Sequence, residues 1–266
     1  MELQKYHFHY QTYGHPHRLP VLFLHGFMGG CHEFDEVIEL LSQDFYCLVI
    51  DLPGHGKTSV KGSDALYQMA SVAQGIIDFL DALNMQQCNL VGYSMGGRLA
   101  LYLTLHFPQY FHKVIVESAS PGLKTQAERE QRIASDRQLA HQLETNDFLS
   151  FLTKWYDRPL FASTQQHPNF ARMLKQRSQN NPYELAKSLR HLSTGLQPSL
   201  WEKLSENSIP LLLLAGELDR KFVDINTEIV TVCPLTQLNV IANCGHNIHF
   251  DKSDVFVNSI RGFLGI

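Results

Sequence analysis

Short, wholly apolar runs recur along the chain at residues 21–24, 46–50, 90–91, 114–116 and 211–214, each closed by a turn containing Gly, Asp, Ser or Glu. Between several of them the apolar positions follow helical spacing, as over residues 70–83. A run without polar alternation belongs to a strand buried on both faces, and strand–helix alternation of this kind builds a mostly parallel sheet with helices on both sides. The segment Tyr6-His7-Phe8-His9-Tyr10-Gln11-Thr12-Tyr13 differs, alternating polar and aromatic residues. It predicts an edge strand in an antiparallel hairpin.

The rhythm breaks after Pro121-Gly122. Residues 123–200 are rich in Gln, Arg, Leu and Ala, contain few β-branched residues and hold no apolar strand run; the strand pattern resumes at Ile209-Pro210. The expected organisation is a core of residues 1–122 and 201–266, interrupted by a helical lid at 123–200. A chain of 266 residues, 44% hydrophobic, can bury one full core with such an insertion. Its apolar runs fall short of the roughly 18 residues of a membrane span, and the beginning lacks the basic-then-apolar order of a signal peptide. The expectation is a cytoplasmic monomer without membrane contact. Five cysteines, odd in number and without a C-x-x-C pair, read as reduced, buried thiols rather than disulfides or zinc ligands.

A formal charge of −4 argues against a nucleic-acid binder. The distribution is more informative, because the lid segment holds 11 Lys/Arg against 7 Asp/Glu while the rest holds 11 against 19. Two accounts fit: a solvated helical face, or a positive lid above a pocket for an anionic small molecule.

Candidate chemistry centres on Gly92-Tyr93-Ser94-Met95-Gly96, set between the apolar run 88–91 and the helical pattern 97–103. A G-x-S-x-G there is a nucleophile elbow, in which glycines make room for a serine held at strained backbone angles. A serine hydroxyl is inert until a histidine takes its proton, and that histidine needs a carboxylate to fix its tautomer. Asp219 follows the run 211–214 and His246 follows 238–241, both where strand ends deliver catalytic groups in open α/β sheets. Glu217 and Glu117 are alternatives for the acid, and His249 for the base.

The loop His25-Gly26-Phe27-Met28-Gly29-Gly30 follows the first core strand, so its N–H groups can face the same pocket. The elbow pattern places the oxyanion hole at the Met95 N–H plus one from this loop, assigned to Phe27; a plain tight turn is the alternative. Asp51-Leu52-Pro53-Gly54-His55-Gly56-Lys57-Thr58 imitates a phosphate-binding loop, but Asp51 stands where that motif requires glycine. No His-x-x-x-His with a nearby Glu occurs, so no catalytic metal is expected.

His-Gly-Phe-x-Gly, Asp-Leu-Pro-Gly-His-Gly and Gly-Tyr-Ser-Met-Gly-Gly-Arg together resemble the α/β-hydrolase superfamily over nearly the whole chain. Glu117-Ser118-Ala119-Ser120-Pro121-Gly122-Leu123, Ser135-Asp136-Arg137-Gln138, Trp155-Tyr156 with Phe161-Ala162-Ser163, Leu196-Gln197-Pro198-Ser199-Leu200 and Gly245-His246-Asn247-Ile248-His249 narrow the match. They resemble the 2-succinyl-6-hydroxy-2,4-cyclohexadiene-1-carboxylate synthases of menaquinone and phylloquinone biosynthesis. The resemblance implies an α/β-hydrolase fold and a lyase that eliminates pyruvate from a tricarboxylate without cofactor or metal. It also implies that Ser94 acts as a base, and that Arg98, Arg132, Arg177, Tyr93 and Trp155 line the substrate pocket. Arg98 stands four residues after Ser94 and so shares its helix face. An ester or thioester hydrolase using the same triad as nucleophile is the competing reading; a non-catalytic binding protein would need a broken triad. Asp251-Lys252-Ser253 departs from the family's Glu-x-Pro, and is expected to alter only the capping of the last helix.

Overall fold

The computed structural model describes residues 1–266. Its strands are β1 (Tyr6–His7), β2 (Tyr10–Tyr13), β3 (Pro20–Leu24), β4 (Tyr46–Ile50), β5 (Ser59–Val60), β6 (Cys88–Tyr93), β7 (Phe111–Glu117), β8 (Leu211–Gly216) and β9 (Thr236–Ile241). Seven form one sheet in the order β2-β4-β3-β6-β7-β8-β9, parallel throughout except for β2. Helices α1 (Asp35–Leu41), α2 (Met69–Ala82) and α3 (Met95–His106) belong to this core. So do α9 (Arg220–Val232), α10 (Ile248–Asp251) and α11 (Ser253–Leu264).

Each central strand sends alternate side chains to opposite faces, and both faces are covered. Leu22, Leu24, Leu90, Val114 and Leu213 pack with residues of α2 and α3. Val21, Phe23, Val91, Ile115 and Leu214 pack with residues of α1 and α11. This double burial is the physical reason that the strands read as unbroken apolar runs.

The first segment does not form the expected hairpin. It divides into β1, which pairs with β5, and β2, which pairs antiparallel with β4 rather than with its chain neighbour β3. Both edges of β3 are already taken by parallel β4 and β6, so β2 finds a free partner only at the sheet's outer edge.

Helices α4 (Gln126–Thr145), α5 (Phe148–Tyr156), α6 (Ala162–Gln165), α7 (Phe170–Arg177) and α8 (Pro182–His191) make up the insertion. A reciprocal Thr125–Glu128 capping box starts α4, and Asn181 with Pro182 starts α8. These helices share a small apolar core of Ala140, Leu143, Leu152, Tyr156, Leu185 and Ala186. Met28, from the loop after β3, is buried in that same core. The lid therefore rests directly on the loop expected to supply the oxyanion hole. No helix is long and apolar enough to cross a membrane.

Candidate active site

Strand order reverses at β3, since β4 lies on one side of it and β6 on the other. Ligands in open α/β sheets bind at such a reversal, beyond the carboxyl ends of the strands. The turn from β6 into α3 places Ser94 there at φ 51°, ψ −105°. That conformation is costly for a residue with a Cβ and persists only when its surroundings over-determine it. A Cβ at Gly92 would lie 2.5 Å from the Gly96 carbonyl oxygen, and one at Gly96 would lie 2.1 Å from that of Leu24. Only glycine fits on either side of the serine.

Ser94 Oγ lies 3.1 Å from His246 Nε2, and His246 Nδ1 lies 2.6 Å from Asp219 Oδ2. The serine hydroxyl donates to the imidazole, which donates onward to the carboxylate. His246 and Asp219 are both buried, and the rings of Tyr93, Phe161 and Phe222 surround the imidazole. Three residues that are far apart in sequence meet as a complete Ser-His-Asp relay. The Phe27 and Met95 N–H groups are not spent on any backbone acceptor, and Met95 opens α3, where helix-end N–H groups favour negative charge.

The alternatives for acid and base have a different use. His249 Nδ1 donates to Glu117 (2.7 Å), its Nε2 to Glu33 (3.2 Å), and all three side chains are buried. Burial would lower His249, but the two carboxylates outweigh it and raise it to about 9. Glu217 instead accepts the Asn243 N–H.

Of the expected substrate ligands, Trp155 lies over the oxyanion loop, its ring 5.4 Å from that of Phe27. Arg98 sits under the lid and donates to two neutral acceptors, Gln197 Oε1 (2.8 Å) and the Leu192 carbonyl (2.9 Å). Arg132 donates through Nε to both oxygens of Asp136 (2.8 and 2.9 Å), which leaves its terminal nitrogens available. Burial, then the Arg132 charge, push Arg98 down to about 9. Two guanidinium groups thus stand near each other with one carboxylate between them, and that carboxylate also accepts from Ser193.

Two of the expected ligands are placed otherwise. Arg177 is 5% exposed, bonded to Glu33 (2.7 Å) and to the Phe27 carbonyl (3.3 Å), so it holds the oxyanion loop rather than waiting for a substrate carboxylate. Burial alone would raise Glu33, but the Arg177 charge and the His249 bond hold it down to about 2. Tyr93 is buried behind the serine, its ring 4.7 Å from that of His249. Burial first, then the Glu33 and Glu117 charges, raise its phenol well above the ordinary value.

The Asp251 departure also reaches further than helix capping. Its carboxylate accepts from Ser163 (2.5 Å) and Thr164 (3.1 Å) of α6 and from the Gly245 N–H (3.4 Å), tying the lid to the loop that carries His246. Gln197 carries a signal that periodicity does not show: its amide nitrogen is buried beside Arg98 without a partner. Buried donors are nearly always satisfied, so an orphan at this point marks a place for an acceptor.

A cavity of about 650 Å³ lies on the far side of the oxyanion loop, lined by Met28, Cys31, Asp51 and Arg177 among others but not by the triad. His9, Cys31 and Asp51 converge beside it, with ligand atoms within 4.8 Å of one another. Asp51 is already engaged by the Cys31 N–H (2.6 Å), the Lys57 N–H (2.8 Å) and His9 (2.7 Å). Burial, then the Asp51 charge, raise the Cys31 thiol, opposite to what a metal ligand needs. This cluster braces the turn after β4.

Residues 20–253 match the model of the alpha/beta hydrolase fold family. A 2-succinyl-6-hydroxy-2,4-cyclohexadiene-1-carboxylate synthase from Shigella dysenteriae is 37% identical over 96% of this chain and 98% of its own length. One from Escherichia coli O1:K1 is 35% identical over 92% and 93%. The chain belongs to this synthase family. The structure of MenH from S. aureus superposes with a TM-score of 0.90 at 33% identity, covering 98% of both chains. An enol-lactonase from Burkholderia xenovorans shares the fold alone, at 15% identity and a TM-score of 0.82.

Proposed function

We propose that the protein eliminates pyruvate from 2-succinyl-5-enolpyruvyl-6-hydroxy-3-cyclohexene-1-carboxylate, giving 2-succinyl-6-hydroxy-2,4-cyclohexadiene-1-carboxylate. The carrying observation is a complete Ser94–His246–Asp219 relay with Arg98 one helical turn along, its guanidinium donating to neutral acceptors alone. Ser94 Oγ passes its proton to His246 and takes the ring proton next to the succinyl ketone. Asp219 holds the imidazole in the tautomer that can accept, and stabilises the imidazolium. The C–H electron pair moves onto the ketone oxygen, where the Phe27 and Met95 N–H groups stabilise the enolate. Collapse of the enolate forms the conjugated diene and breaks the distal C–O bond, and the departing enolate of pyruvate takes up a proton. No water is consumed and no acyl-enzyme forms.

A hydrolase of neutral esters would have no use for Arg98, whose charge faces only a carbonyl and an amide oxygen. A tricarboxylate supplies the missing anions. The five cysteines are all free and buried, which fits a reducing compartment such as the cytoplasm.

Purified protein mixed with the enolpyruvyl substrate is expected to release pyruvate far above the spontaneous rate; release at the spontaneous rate would overturn the assignment. Arg98→Ala is expected to weaken kcat/KM by about 2–4 kcal/mol, the loss typical of removing one partner from a desolvated charge pair. An unchanged kcat/KM would assign Arg98 to structure alone.

A further inference from the structure

A second cavity, about 400 Å³, opens at the lid's rim, lined by residues including Arg132, Asp136, Gln142, Trp155 and Arg158. Arg158 lay outside the motifs that mark the family. Its guanidinium carbon lies 4.0 Å from the centre of the Trp155 ring. Several basic groups of the lid are paired with acids: Arg172 with Asp35, Arg177 with Glu33, Lys187 with Glu184 and Arg190 with Glu144. Arg158 has no carboxylate partner, although it is only half-exposed.

Its surroundings add charge of the same sign. Arg132 borders the same cavity, and its own carboxylate, Asp136, is shared with Ser193. Burial and then the Arg132 charge lower Arg158, as they lower Arg98. Arg98, Arg132 and Arg158 thus have one acid among them. Trp155 connects this rim to the reaction centre, since its ring also meets Phe27 of the oxyanion loop and Phe161, which packs against His246. Arg158 also caps the turn Pro159–Phe161, and Phe161 packs against His246. The turn that covers the relay therefore also sets the position of the rim cation.

We propose that Arg158 and Arg132 form an outer carboxylate subsite, with the Trp155 face holding the Arg158 guanidinium plane ready for a bidentate contact. The subsite takes the substrate carboxylate lying furthest from Ser94, and so rests on the tricarboxylate reading above. A stacked guanidinium loses little freedom on binding and matches carboxylate geometry, whereas a lysine supplies only a point charge.

The test is pyruvate release by the whole protein carrying Arg158→Gln, Arg158→Lys or, as a control for net charge, Arg137→Gln on the exposed side of α4. Arg158→Gln is expected to raise KM about tenfold, with kcat changing less than about threefold, as rim charges act on capture more than on chemistry. Arg158→Lys recovers only part of the loss, and Arg137→Gln leaves KM at the wild-type value. Equal KM for wild type and Arg158→Gln, or an equal effect from Arg137→Gln, would overturn the subsite. Citrate binding by calorimetry separates this from failure of the reaction assignment. If wild type releases no pyruvate yet binds citrate more tightly than Arg158→Gln does, the subsite stands and the reaction falls. If citrate binds both equally, the subsite falls.

Discussion

Ser94→Ala is expected to lower pyruvate release by roughly a thousandfold or more, the scale of a lost general base, while the protein remains folded. Alanine keeps the Cβ, so the strained φ of 51° is neither relieved nor worsened. The hydroxyl caps no helix, and its one side-chain bond is to His246. Circular dichroism and a melting temperature within a few degrees of wild type check the fold. The comparison that gives the result meaning is Ser94→Ala with His246→Ala added. Residues of one relay lose most of their value together, so the double variant is expected to be hardly slower than either single. Retained turnover in Ser94→Ala would exclude the serine as the base. Additive losses would mean that Ser94 and His246 act separately, despite the 3.1 Å contact.

The relay was legible in the sequence because its members share a local signature. Ser94, Asp219 and His246 each follow an apolar run, and the sheet brings the ends of parallel strands to one side. Arg98 was legible through its spacing from Ser94. The misplaced residues are those whose role depends on a distant partner. Arg177 looks like any lid arginine until Glu33, 144 positions away, is seen beside it. His249 and Glu117, each a rival for the relay, turn out to be partners of one another. Asp251 resembled a capping change because the Ser163 and Thr164 that it binds lie in the lid. Likewise, alternation in residues 6–13 gave an antiparallel edge strand without saying which strand it would join. Periodicity reports which face is buried. It says nothing of which charge lies opposite.

Removing Arg177 is expected to have the largest effect on stability. Glu33, Arg177, His249 and Glu117 form a buried chain of two acids and two bases that joins α7, the oxyanion loop, the end of β7 and α10. Arg177→Met leaves two carboxylates around one imidazolium, and breaking a buried pair in this way costs about 3–5 kcal/mol. Arg177→Met combined with Glu33→Gln removes the stranded charge as well, and is expected to recover at least half of that loss. The pH dependence has a definite sign. In wild type Glu33 is held down to about 2, so its pair contributes fully above the ordinary carboxylate value of 4.5 and fades as pH falls towards 2. In Arg177→Met the carboxyl has lost its main partner, so mild acid neutralises it and relieves the penalty. The gap between the urea midpoints of wild type and variant should therefore narrow from pH 8 to pH 5. Catalysis suffers separately: the Phe27 carbonyl loses its donor, and a displacement of about 1 Å in a positioning group can cost about a hundredfold in rate. The double variant recovers stability without recovering that rate, because it is the guanidinium that bonds the Phe27 carbonyl. Equal recovery of both would show that Arg177 acts through the fold alone, and an unchanged urea midpoint in Arg177→Met would overturn the account of the buried chain.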